Sequence, residues 1–166
     1  SRGLGDVYKR QMQTGALVLV APGANGPSHE GAISDDGRWV AFTSAATNLV
    51  TGDTNGVSDA FLRDIDTGTI VRVSERANGD EPVENSNGIA ISGNGQFVGW
   101  STRDPIDAAD TNGTWDVYRY NHSNGGRLLI SSSTAGAIGN GGSHNASLSY
   151  NGAAVAFDSA EDNLGL

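Results

Sequence analysis

The chain has 166 residues, 10 Lys+Arg against 19 Asp+Glu, a formal net charge of −9 and no cysteine. Disulfides and thiol chemistry are thereby excluded, and an acidic surface lacks the basic footprint that nucleic acid or an anionic membrane demands. No apolar run approaches the roughly 18 residues that a helical membrane span needs.

Residues 1–11, Ser-Arg-Gly-Leu-Gly-Asp-Val-Tyr-Lys-Arg-Gln, hold the only lysine and match nothing further along. They resemble one reading frame of a transposase-type sequencing adapter and are set aside as a library artefact; on that reading the coding sequence continues upstream. Removing Arg2, Lys9, Arg10 and Asp6 takes the net charge from −9 to −11. Residues 12–28 read as the end of a preceding unit, with a turn at Thr14-Gly15, a strand over 17–20 and a loop opening at Ala24-Asn25-Gly26.

The first full unit spans 29–86, with strands expected at 31–34, 38–43, 59–63 and 69–74. The second spans 87–143, with strands at 89–92, 96–101, 116–120 and 127–131, and a truncated third covers 144–166. Each opens with two apolar runs separated by Asp36-Gly37, Asn94-Gly95 or Asn151-Gly152. Such pairs predict tight hairpins of type I′, in which both central residues take φ > 0. Ile33 to Ile91 is 58 residues, Ile91 to Leu148 is 57, and Asp53 to Asp110 is 57.

Four short strands per unit at a fixed period predict an all-β fold, a β-propeller fragment with two complete and two partial four-stranded antiparallel blades. The second strand supports this. It puts Val40 and Phe42 on one side and Trp39 and Ala41 on the other, a pattern repeated by Val98, Trp100, Phe97 and Gly99. Apolar residues on both sides describe a sheet covered on both faces. The small Ala41/Gly99/Ala156 column is expected to admit a neighbouring sheet closely.

Ile-Ser-Asp-Asp-Gly-Arg-Trp-Val-Ala-Phe followed by Asp-Ala-Phe-Leu-Arg-Asp-Ile-Asp-Thr-Gly resembles the WD40-like (PD40-type) repeat of TolB-like β-propellers. The second unit keeps the pattern as Ile-Ser-Gly-Asn-Gly-Gln-Phe-Val-Gly-Trp and Asp-Val-Tyr-Arg-Tyr-Asn. The resemblance implies the propeller fold and a periplasmic or extracellular bacterial setting. It leaves activity open, since such blades serve as scaffolds, as secreted modules and as caps on peptidases.

One constellation bears on chemistry. Asp53-Thr-Asn55-Gly-Val57-Ser-Asp59 recurs as Asp110-Thr-Asn112-Gly-Thr114-Trp-Asp116. Alternating oxygen donors around a glycine suit a hard cation such as calcium, with the Val57 and Thr114 carbonyls as further ligands. The same residue types also build metal-free turns, since Asx side chains satisfy backbone amides. Both readings stand at this point. His29, Asn87 and His144 take equivalent places, expected just ahead of each unit's first strand, where they would form a polar ligand-binding ring at the mouth of a central channel.

No Gly-x-Ser-x-Gly elbow, His-Glu-x-x-His or phosphate loop occurs in the sequence. The expected function is a non-catalytic binding or scaffold module, calcium-stabilised, for a protein or carbohydrate partner. The alternative is the propeller portion of a peptidase or glycosidase whose catalytic residues lie outside this chain.

Overall fold

The computed structural model describes residues 5–165, in which strands, turns and bends occur and no helix does. Strands β1 (Tyr8–Arg10) and β2 (Leu17–Leu19) form a hairpin. A first four-stranded antiparallel sheet follows in chain order: β3 (Ser28–Ile33), β4 (Trp39–Ser44), β5 (Asp59–Asp64) and β6 (Ile70–Arg72). A second contains β7 (Ser86–Ile91), β8 (Phe97–Thr102), β9 (Asp116–Asn121) and β10 (Arg127–Leu129). The hairpin of β11 (Ser143–Leu148) and β12 (Val155–Ser159) comes last, and the sheets do not close into a ring. The expected four-stranded antiparallel sheets are present, and Val40, Val98 and Val155 lie in three separate sheets. Tyr8–Arg10 pairs with Leu17–Leu19, so the expected boundary after residue 11 falls inside a hairpin.

Two expectations need correction. The first concerns the turns. Glu30 and Asn145 are the only non-glycine residues with positive φ among those described, so Asp36, Asn94 and Asn151 are not in the left-handed region and the type I′ assignment fails. Only the glycines carry positive φ, at 72° for Gly37, 73° for Gly95 and 66° for Gly152. The reason is side-chain capping. The Ser34, Ser92 and Ser149 hydroxyls accept the amides of Trp39, Phe97 and Ala154 at 3.0, 2.9 and 3.0 Å. The Asp36, Asn94 and Asn151 Oδ1 atoms accept those of Arg38, Gln96 and Ala153. A longer loop satisfied by its own serine and Asx side chains replaces the two-residue turn.

The second correction concerns the first strands. They begin at Ser28, Ser86 and Ser143, so His29, Asn87 and His144 sit at the second position inside β3, β7 and β11 and not in a loop ahead of them. Immediately after each, two residues face one on the partner strand, a β-bulge opposite Phe42, Trp100 and Phe157. The bulged residues Glu30, Gly88 and Asn145 all adopt left-handed backbone, φ 50°, 64° and 56°. Extended pairing on both sides fixes that conformation, although only Gly88 adopts it without steric cost.

The sheets stack face to face. Val20, Ala21, Val40, Phe42 and Phe61 form one core between the leading hairpin and the first sheet. Ala41, Ala60, Leu62 and Val73 meet Val98, Trp100, Ile106 and Tyr118 in a second core between the two large sheets. Strand β4 is therefore buried on both sides, as its pattern predicts. The small column behaves as expected too: a Cβ on Gly99 would lie 2.8 Å from Leu148 Cδ1, in the following unit. Strand β7 packs against β3, and β11 against β7, so the first strands of successive units are neighbours. The Trp39 ring lies over Gly95 and the Phe97 ring over Gly152, closely enough to exclude a Cβ at either glycine.

Candidate functional sites in the repeat loops

The two Asp-x-Asn-Gly loops have the same backbone design. Val57 N–H donates to Asn55 Oδ1 at 3.1 Å, and Thr114 N–H to Asn112 Oδ1 at 2.8 Å, the Asx turn expected of a metal-free loop. Asp59 and Asp116 each open the third strand and are fully buried; Asp53 and Asp110 are 6% and 5% exposed. One oxygen of each strand-opening carboxylate is held alike. Ser74 Oγ donates to Asp59 Oδ1 at 2.8 Å, and Ser131 Oγ to Asp116 Oδ1 at 2.6 Å.

The remaining oxygens are treated differently. In the first unit the Arg72 guanidinium enters from β6. Its Nη1 lies 3.5 Å from Asp59 Oδ2, 3.7 Å from Asp53 Oδ1 and 2.8 Å from Glu81 Oε1. Asn55 Nδ2 adds hydrogen bonds to Asp59 Oδ2 at 2.9 Å and to the Pro82 carbonyl at 3.0 Å. Thr54 Oγ1 closes the far side with a 2.6 Å bond to Glu81 Oε2. Of the set expected to ligate a cation, Asp53, Asn55, Val57 and Asp59, the two carboxylates thus face a cation that the chain itself supplies, the Arg72 guanidinium.

In the second unit the residue at the Arg72 position is Leu129, and at the Glu81 position Ile138. Leu129 packs on the apolar core. Asn112 Nδ2 turns to the Gly139 carbonyl at 3.0 Å, Thr114 Oγ1 donates to the Gly141 carbonyl at 2.8 Å, and the Tyr118 hydroxyl donates to Asp110 Oδ2. Asp116 Oδ2 has no hydrogen-bond partner and no solvent.

The electrostatics follow. Burial pushes the Asp59 and Asp53 carboxyls above their ordinary values, with Arg72 pulling both back. Burial, joined by the charges of Asp110 and Glu161, pushes Asp116 up to about 6 against the Ser131 and Asn112 side chains. The Thr54 hydroxyl and Arg72 hold Glu81 down at about 2. Among the described residues, no three His, Cys, Asp or Glu side chains stand grouped to hold a metal by themselves.

His29 and Asn87 are exposed, while His144 is half-buried with its ring 5.3 Å from that of Trp115. The three occupy equivalent positions on neighbouring strands. The Arg76–Asp104 ion pair between the two large sheets, at 2.5 and 3.0 Å, was not anticipated from sequence, and neither was Arg72. The sequence did carry a signal for Arg72. It is a charged residue whose partner one period later is leucine, in a column otherwise read as plain strand.

No protein-family model matches the chain, and no curated protein matches it. Solved structures do. An Agrobacterium tumefaciens protein described as TolB superposes with a TM-score of 0.61 at 20% identity, over 99% of this chain and 49% of that one. The tricorn protease superposes at 0.57 and 13% identity, over 93% of this chain and 13% of its own. A prolyl endopeptidase does so at 0.54 and 14% identity, over 92% and 22%. The chain therefore spans about half the length of the TolB structure and smaller shares of the two peptidases. At these identities the likeness shows the fold alone, a β-propeller.

Proposed function

We propose that this β-propeller module is a non-catalytic binding or scaffold element of a larger bacterial protein in the periplasm or outside the cell. The observation that carries the reading is how the buried polar groups are used. Ser28 and Ser44 bond each other at 3.0 Å, Ser74 and Ser131 hold Asp59 and Asp116, and Asp104 receives Arg76 together with the Val83 and Glu84 amides. Each ties strand to strand or sheet to sheet. Groups built for catalysis face a cleft and stay available to a substrate. The ligand-facing surface on this reading is the line of His29, Asn87 and His144 on the convergent first strands, and the partner is a protein or carbohydrate.

The test uses the complete reading frame that contains this chain. It is expected to hydrolyse neither peptide nor glycoside substrates, and His29→Ala with His144→Ala is expected to weaken retention on a panel of immobilised polysaccharides and envelope proteins. Hydrolysis lost only on deleting an appended domain would favour the second reading, a propeller attached to a hydrolase. That reading draws support from the peptidases among the structures of like fold.

A further inference from the structure

The two loops share five matching polar and glycine positions, yet only in the first do the carboxylates face an arginine. In the first unit Arg72 Nη1 stands between Asp53 Oδ1 and Asp59 Oδ2, at 3.7 and 3.5 Å. In the second, Leu129 replaces the arginine and ends in the apolar core. A second arginine is lost as well. Arg76, which clasps Asp104 across the sheet interface, corresponds to Ser133, while Asp104 corresponds to Glu161, a carboxylate. The second unit therefore keeps the carboxylates at the Asp53 and Asp59 positions, as Asp110 and Asp116, has Ile138 in place of Glu81, and has neither arginine.

A fully buried Asp116 carboxylate oxygen is left without a hydrogen bond or a counter-charge, the nearby Asn112 amide being turned to the Gly139 carbonyl. Its counterpart, Asp59 Oδ2, faces Arg72 Nη1. A buried carboxylate lacking a partner is costly, and a cation at the guanidinium position removes that cost. Carboxylates and chain oxygens on an irregular loop suit a hard ion that tolerates irregular geometry, completing its shell with water.

We propose that the loop 110–116 binds one calcium-type divalent cation, anchored by Asp116 Oδ2 with Asp110 as second carboxylate, whereas loop 53–59 binds none because Arg72 fills the same place. The ion and the arginine are interchangeable solutions to one electrostatic problem. This holds whether the complete protein is a scaffold or carries a catalytic domain.

Terbium luminescence on the 166-residue chain tests it, since Trp115 adjoins Asp116 and can sensitise a bound lanthanide. One terbium per chain is expected, displaced by calcium. Asp116→Asn and Leu129→Arg should each reduce the stoichiometry from one to zero, Asp59→Asn should leave it at one, and Arg72→Leu should raise it to two. Far-UV circular dichroism verifies that each variant is folded; if Leu129→Arg fails to fold, Asp116→Asn decides. Absence of saturable binding by the folded parent chain overturns the proposal. So does binding that survives Asp116→Asn, or a parent chain that takes two ions.

Discussion

The first and second units differ in how they neutralise the same buried acids. Around Asp59, a guanidinium, an amide, a hydroxyl and a partly exposed glutamate form a closed network at 2.6–3.5 Å. Around Asp116, the hydroxyl of Ser131 is kept, a tyrosine hydroxyl is added on Asp110, and no positive side chain arrives. The outer turn shows the same drift. Arg38 and Asp64 form a bidentate pair at 3.1 and 2.7 Å, whereas their equivalents Gln96 and Asn121 are neutral amides 3.5 Å apart. Repetition conserves the shape of a loop, while the counter-charge is set by a residue in another strand and drifts independently.

The largest effect is expected where the internal cation is removed. Arg72→Leu leaves Asp53, Asp59 and Glu81 facing one another, and breaking a buried pair from one side costs about 3–5 kcal/mol. Urea unfolding in the presence of chelator should show that loss, and adding Asp59→Asn should recover part of it. Tyr118→Phe makes the second unit resemble the first, where Phe61 occupies this position. It strips Asp110 of its hydroxyl donor and should cost about 1–3 kcal/mol in the same assay.

A smaller effect of opposite sign is expected at the bulges. Glu30 holds φ 50° where the second unit has Gly88. Glu30→Gly should therefore stabilise the chain by about 1 kcal/mol, the left-handed penalty less the extra freedom of glycine when unfolded. Unchanged or lower stability would show that the Glu30 side chain makes up for its backbone. The mildest prediction concerns acid. The Arg38 guanidinium holds the Asp64 carboxyl well below the usual carboxylate range. A depressed folded-state value means a contribution fully present above the unfolded value near 4 and lost as pH falls below it. Asp64→Asn should flatten the decline in unfolding free energy below about pH 4, and an identical acid limb would contradict it.

Much of this was legible in the sequence. The Val40/Phe42 and Trp39/Ala41 alternation anticipated a sheet covered on both faces, and the glycine at 99 anticipated close approach of the next unit. The turn geometry was misread because Asp-Gly and Asn-Gly were weighed without Ser34, Ser92 and Ser149, whose hydroxyls lengthen the loop. The first strands of the two full units were placed three residues late, at 31 and 89, because Ser28 and Ser86 look like loop residues until their burial is known. Arg72 was missed for a different reason. Its meeting with Asp53 and Asp59 depends on how β6 lies beside β5, and adjacency across a sheet is not a spacing along the chain.

The aromatic rings seated on turn glycines give the stack a direction. Trp39 lies over Gly95 and Phe97 over Gly152, always from an earlier copy onto a later one. The first and second copies therefore each seat a lid on the glycine of the next, the third has Ala154 at the lid position, and a lid has nowhere to sit on a second lid. Copies joined in this way can grow only head to tail, and whether such growth ends in a wheel or continues as a filament depends on the rotation per copy.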